Sequence, residues 1–455
     1  MRLRGGVAAA LVILAPCAHA HGFGQRYDLP LPLELYLCGA AFTVVVSCVL
    51  FAFYLRAAPA QGSVAGLDLL ATTPGRLLAS SPVISLLRAI ALFAYGLVIF
   101  AGLFGHTDTF KNIAPVAVWA IGWVGIAYFC ALVGDFWKVV NPIETLFAPF
   151  DRYARLRPLP MAAGWIAVLV YAAIIWMEIA WDESDSPRAI AVMILGYSIF
   201  TWAAMFCFGR EAWLSRADAL SRFFATFGRF APLDIGLSDR RIIRWHLRPY
   251  ALGLLAEHPL DASAVAFVIV ILAGVSFDGF LETPAWQAIE MARTPGLVAA
   301  CLVFALAYLA CCRIVAAIAG PAAPAWRTIA STFVMTLVPI AIAYEVAHYF
   351  SFLVQAAQYL VPLASDPFGW GWNLFGGKNV FVRVSVVDSR LVWIVSLGVI
   401  VAGHVAAIYL GHLLAMRLMP DRRSAVRSEL PMLVLMVGYT MLSLWIIAQP
   451  IVATR

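Results

Sequence analysis

Ten stretches of about twenty residues each, nearly free of charge, dominate this chain. They run roughly over 33–55, 85–105, 113–133, 163–181, 189–209, 262–281, 295–318, 328–352, 391–416 and 431–450. A hydrocarbon layer ~30 Å thick takes about 20 apolar residues of helix, and within lipid a helix satisfies its own backbone. The pattern predicts an all-α, polytopic membrane bundle of about ten transmembrane helices. A composition of 63% hydrophobic and 12% charged residues excludes a soluble globular fold.

The first twenty residues read differently from the spans. Arg2 and Arg4 precede a short apolar run that ends at Ala18-His19-Ala20. This is the pattern of a secretory signal peptide, 1–20, whose removal leaves His21 as the mature N-terminus of one domain, 21–455. With His21 outside, 21 of the Lys and Arg residues fall in inner segments and 8 in outer ones. That asymmetry obeys the positive-inside rule and places the N-terminus outside. It also accounts for the formal charge of +6 without nucleic acid. The cysteines show no C-x-x-C spacing, so neither a disulfide framework nor a redox pair follows.

Two inner segments are too polar to span. Residues 134–150 (GDFWKVVNPIETLFAPF) and 211–232 (EAWLSRADALSRFFATFGRFAP) read as amphipathic segments on the inner membrane face. In the second, Trp213, Leu214, Leu220, Phe223, Phe224 and Phe227 share one helical flank. The long outer loop 362–390, rich in Gly and aromatic residues, can cap the bundle or form a lid over an outward-facing cavity.

Ionisable side chains inside apolar spans are expensive and mark functional sites by default. Here they are Asp278, Glu345, His348, His404 and His412. Glu345 and His348, three residues apart, share one face of a helix. His348 and His404 with Asp278 or Glu345 make a candidate site for a divalent ion, zinc or a similar metal. Packing histidines that bond between helices are the plainer alternative. His404 and His412 stand eight residues, ~12 Å, apart along one helix, so His412 falls to a structural role at the inner interface. An N-terminal His21, with its α-amine and imidazole, could chelate copper together with His106. No serine-hydrolase elbow, zincin motif, P-loop or dinucleotide fingerprint is present.

Several segments taken together resemble a known family. HGFGQRYDLPLPLELYLCGAAFTVVVS, FDGFLETPAW, VAHYFSFL with SDPFGWGWNLFG, GHVAAIYLGH and LPMLVLMVGYTMLSLWIIAQP resemble the fenitrothion hydrolase-like proteins of the bacterial inner membrane, named after a membrane-bound organophosphate hydrolase. The resemblance runs through most of the mature chain. It implies a hydrolase acting on organophosphate triesters at the periplasmic side of the bacterial inner membrane. In that reading His348 and His404 hold an ion that acidifies a water, and Asp278 or Glu345 orients or deprotonates it. Trp370, Trp372 and Phe375 of the outer loop would then bind an apolar aryl substrate. Two other classes stay open. One is a transporter or channel with Asp278, Glu345, His348 and His404 along a proton or solute path. The other is a haem protein with His348 and His404 as axial ligands.

Overall fold

The computed structural model describes residues 28–55, 66–155, 157–255, 260–377, 380–383 and 386–449. The expected signal peptide and His21 lie outside the described residues. Among those residues, ten helices are long and apolar enough to cross a membrane: α1 (Leu33–Tyr54), α2 (Ser81–Phe104), α3 (Ile113–Leu132), α4 (Ala163–Ala180), α5 (Pro187–Phe208), α6 (Ala262–Leu281), α7 (Arg293–Ala319), α8 (Trp326–Ser365), α9 (Ser389–Leu418) and α10 (Arg422–Ala448). The chain is an all-α polytopic bundle.

The helix starts follow local chemistry. Asp261, Asp388 and Asp421 accept hydrogen bonds from the backbone N–H of Ala264, Arg390 and Ser424, so each caps the first turn of α6, α9 or α10. Pro82 and Pro187 occupy first-turn positions of α2 and α5, where no N–H is needed. Within α3, residues Val116–Gly125 widen into a π-helix, and the N–H of Ile126 bonds to the carbonyl of Ile121, five residues back.

Helix α8 is the hub. Of its apolar stretch 94% is buried, against 11% for α2 at the periphery. It is also longer than hydropathy predicts, remaining helical to Ser365 rather than ending near residue 352. Gln355 and Gln358 interrupt the apolar run, but they bond to Ser351 and to the carbonyls of Val354 and Arg383 rather than breaking the helix. The final turns of α8 therefore rise past the ends of α4 and α6 into the loops. There the N–H groups of His106 and Ile113 donate to the carbonyls of Phe368 and Pro367, at 2.7 and 3.1 Å.

The opposite end of the bundle departs from the expectation of surface-lying segments. Residues 134–150 do not span, as expected, and form the short helices Trp137–Val140 and Pro142–Phe147 before a 3₁₀ segment, Ala148–Tyr153. Val139, Val140, Ile143 and Phe147 are buried in protein. The segment 211–232 breaks at Ala217 into helices Arg210–Arg216 and Ala219–Gly228. Its aromatic flank does not face lipid. Trp213, Phe223, Phe224 and Phe227 are fully buried, and Phe223 stacks on Trp123 of α3 with centroids 5.0 Å apart. An apolar flank that looks membrane-directed in sequence thus packs as core.

One small sheet also forms here, from β1 (Leu67–Asp68), β2 (Leu233–Ser238) and β3 (Arg241–Leu247), all antiparallel in the order β1-β3-β2. Asp239 and Arg240 connect β2 to β3 with φ of 46° and 64°. Two successive positive φ values are those of a type I′ hairpin turn, whose twist suits the paired strands.

Candidate functional site

The polar residues of α4, α6 and α8 converge near the ends of α4 and α6. Asp278 lies three residues before the end of α6, and Glu178 two residues before the end of α4. Helix α8 packs on α6 and contributes His348 and Tyr349. His348 Nε2 stands 2.9 Å from Asp278 Oδ2, with the two side chains 6% and 13% exposed. The Tyr349 hydroxyl reaches the same Asp278 oxygen at 2.6 Å and Glu178 Oε1 at 3.1 Å. Three helices are tied through one phenol.

The hydrogen-bond inventory constrains the protons. A phenol carries one proton, and an ionised carboxylate can only accept. Tyr349 therefore serves Asp278 and Glu178 in turn. While it donates to Asp278, a strong second bond requires Glu178 to donate its own proton to the phenol oxygen. The chain Glu178–Tyr349–Asp278–His348 is thus a line of groups, each able to give or take a proton from the next.

Glu345 lies one turn before His348 on the same helix, as its spacing predicts, and is 5% exposed. Its Oε1 has no hydrogen-bond partner. The Tyr128 hydroxyl of α3 bonds to the carbonyls of Glu345 and Val346, at 3.1 and 2.9 Å. The carboxylate itself is left with an open acceptor beside the chain, which is the costly arrangement for a buried polar group.

His404 makes none of these contacts. Its Nδ1 lies 2.8 Å from the Ile400 carbonyl, which can only accept, so this nitrogen carries the proton. Its Nε2 is buried without a partner. The ring rests against Tyr439, centroids 5.8 Å apart, and the Tyr439 hydroxyl meets Ser276. His348 is occupied by Asp278. The described residues include no group of three His, Cys, Asp or Glu side chains placed to hold one metal ion. An ion or haem held through His348 Nε2 would replace its contact with Asp278.

His412 makes a structural cross-link. Nδ1 is 2.9 Å from Glu429 of α10, and Nε2 is 2.9 Å from the carbonyl of Leu55. The aromatic loop is also displaced from the carboxylates. Phe368, Trp370 and Trp372 pack on one another and, through Phe368 and Trp370, on Phe100 of α2, while Phe375 is exposed. The loop is anchored to the end of α8 by the N–H of Leu374 on the Ser365 carbonyl. Seventeen residues of α8 separate Ser365 from His348, ~25 Å of helix.

Glu178 and Tyr349 were not among the residues singled out from the sequence. Glu178, in IIWMEIAW, carries the same signal as Asp278: a carboxylate in an apolar span. Its place near the helix end weakens that signal, since a carboxylate there can reach the interface. Tyr349 has no sequence signal beyond adjacency to His348, because tyrosine is ordinary in a membrane helix. No family model, curated protein or solved structure matches the chain.

Proposed function

We propose that Glu178, Tyr349, Asp278 and His348 form the proton-handling centre of a proton-coupled membrane transporter. The observation that carries this reading is the phenol of Tyr349 bridging carboxylates from two different spans, at 2.6 and 3.1 Å. Titratable side chains inside a bundle, paired with one another, are the usual parts of proton relays in pumps and transporters. Movement of α8 relative to α4 and α6 would move the shared proton from one carboxylate to the other, which couples a conformational step to protonation. The arginine asymmetry of the loops supports a bacterial inner-membrane setting with this end of the bundle toward the periplasm.

Hydrolysis of an organophosphate triester is the second reading, and the His348–Asp278 pair favours it. A histidine oriented by a carboxylate is a general base able to deprotonate a water for attack at phosphorus. The resemblance to fenitrothion hydrolase-like proteins points the same way.

Proteoliposomes with an internal pH dye and an imposed potassium diffusion potential test both readings. The wild type should carry protons, and Asp278→Asn and Tyr349→Phe should lose that flux. Equal flux in wild type and both variants overturns the transport reading. Release of nitrophenolate from a phosphotriester by the wild type, abolished in Asp278→Asn without any proton flux, establishes the second reading instead.

A further inference from the structure

At the end of the bundle away from Asp278, α2 and the β2–β3 hairpin enclose a cleft of about 430 Å³. On α2, Ile84, Arg88 and Leu92 follow at four-residue intervals, and Ser81, Ser85 and Ala89 form the adjoining row. Both rows therefore face the cleft. Asp239, Arg240 and Arg241 of the hairpin make the opposite wall, and Thr145 closes it.

Three guanidinium groups share this space with a single lining carboxylate, Asp239. Arg88 donates Nε to the Val139 carbonyl at 2.9 Å and Nη2 to the Arg240 carbonyl at 2.8 Å. Arg240 donates Nη2 to Thr145 Oγ1 at 3.2 Å, while its Nε is buried without an acceptor. The nearby Glu144 is already engaged by Arg210 at 3.1 Å. A cleft lined by three guanidinium groups against one carboxylate favours an anion. The hairpin turn holds Asp239 and Arg240 at φ of 46° and 64°, values that residues other than glycine seldom keep.

We propose that this cleft binds the phosphate of an anionic phospholipid. Arg88, Arg240 and Arg241 are the donors, and the small side chains of Ser85 and Ala89 open a lane along α2 for the first methylenes of an acyl chain. Guanidinium matches phosphate geometry in a two-pronged fashion. Basic pockets at the membrane edge of a bundle are where such headgroups lodge. Arg88 sits seven residues into α2, ~10 Å from its start, within reach of the headgroup layer. A free phosphate would meet the same charges but leave the apolar lane of Ala89 and Leu92 empty.

Native mass spectrometry of the full chain, released from phosphatidylcholine nanodiscs doped with phosphatidylglycerol, tests the site. The wild type should retain one phosphatidylglycerol. The double variant Arg240→Gln/Arg241→Gln should lose it by about tenfold, and Ala89→Leu, which fills the lane and keeps every charge, should also weaken it. Arg423→Gln, on the exposed start of α10, should not change it. Equal retention by the wild type, the double variant and Ala89→Leu overturns the site. Inorganic phosphate displacing phosphatidylglycerol at equal concentration overturns the lipid assignment.

Discussion

Tyr349→Phe removes one oxygen from the centre of the bundle and nothing else. The ring is buried at 3% exposure, and phenylalanine fills the same space, so no cavity term enters. What is lost is the bond to Asp278 at 2.6 Å and the one to Glu178 at 3.1 Å. Hydrogen bonds to charged groups contribute about 1.5–3 kcal/mol and neutral ones about 1, so the loss should be about 2–4 kcal/mol. Asp278 and Glu178 each lose one hydrogen-bond partner. The assay is unfolding of the purified protein in mixed micelles with rising dodecyl sulfate fraction. Tyr54→Phe, on an exposed ring at the end of α1, is the control and should stay within about 0.5 kcal/mol of wild type. A cycle with Asp278→Asn sharpens the result. Residues in one hydrogen-bonded network couple by about 0.5–3 kcal/mol, whereas distant ones add. Additive effects of the two substitutions, or a Tyr349→Phe variant as stable as the control, would refute the shared-proton arrangement.

Three further outcomes follow from the same geometry. Arg210→Gln strands Glu144 and Asp151, which the guanidinium now meets at 3.1 and 3.2 Å; breaking such a largely buried pair should cost about 2–4 kcal/mol in the same unfolding assay, and a change under 0.5 kcal/mol would show the network to be idle. Burial pushes the Asp218 carboxyl above its ordinary value, although Tyr197 and Ser221 donate to it. The folded state then binds more protons than the unfolded one, so stability falls as pH rises from the ordinary aspartate range through the raised folded pKa. Asp218→Asn, which keeps the helix cap, should flatten that slope, as read by melting temperature against pH. Gly102→Leu sets a Cβ onto the carbonyl of Pro187 and the methyl of Ala191, where α2 meets α5, and overpacking there should cost about 1–3 kcal/mol and lower the yield of folded protein.

The architecture was readable because twenty-residue apolar runs leave the backbone few options in lipid. The site was readable in part. Asp278, Glu345 and His348 stand out because charge inside a span is rare, and Asp278 does meet His348. The partners were not readable, since hydropathy fixes where a residue lies along a helix but not which neighbour it faces. That rotation brought Glu178 and Tyr349 into the cluster and turned His404 toward Tyr439. The small sheet was missed for another reason. Alternation in LDIGLS and RIIRWHL is short, and its turn is Asp-Arg rather than the Asn-Gly that usually announces a hairpin. The end of α8 was misplaced because two glutamines lower hydropathy without weakening a helix.

The burial of Phe223, Phe224 and Phe227 changes what the segment 219–228 means for the molecule's local stability. A helix resting on a membrane surface exchanges its amide hydrogens within the time of its own fraying. This one is locked by ring contacts, Phe224 on Trp137 and Phe223 on Trp123 and Tyr171, the last a residue of the same helix as Glu178. Its amides can open only when that aromatic column comes apart, so they should exchange as slowly as those of the spans beside it. A cut or deletion here would loosen the interior under α3 and α4 rather than trim a peripheral appendage.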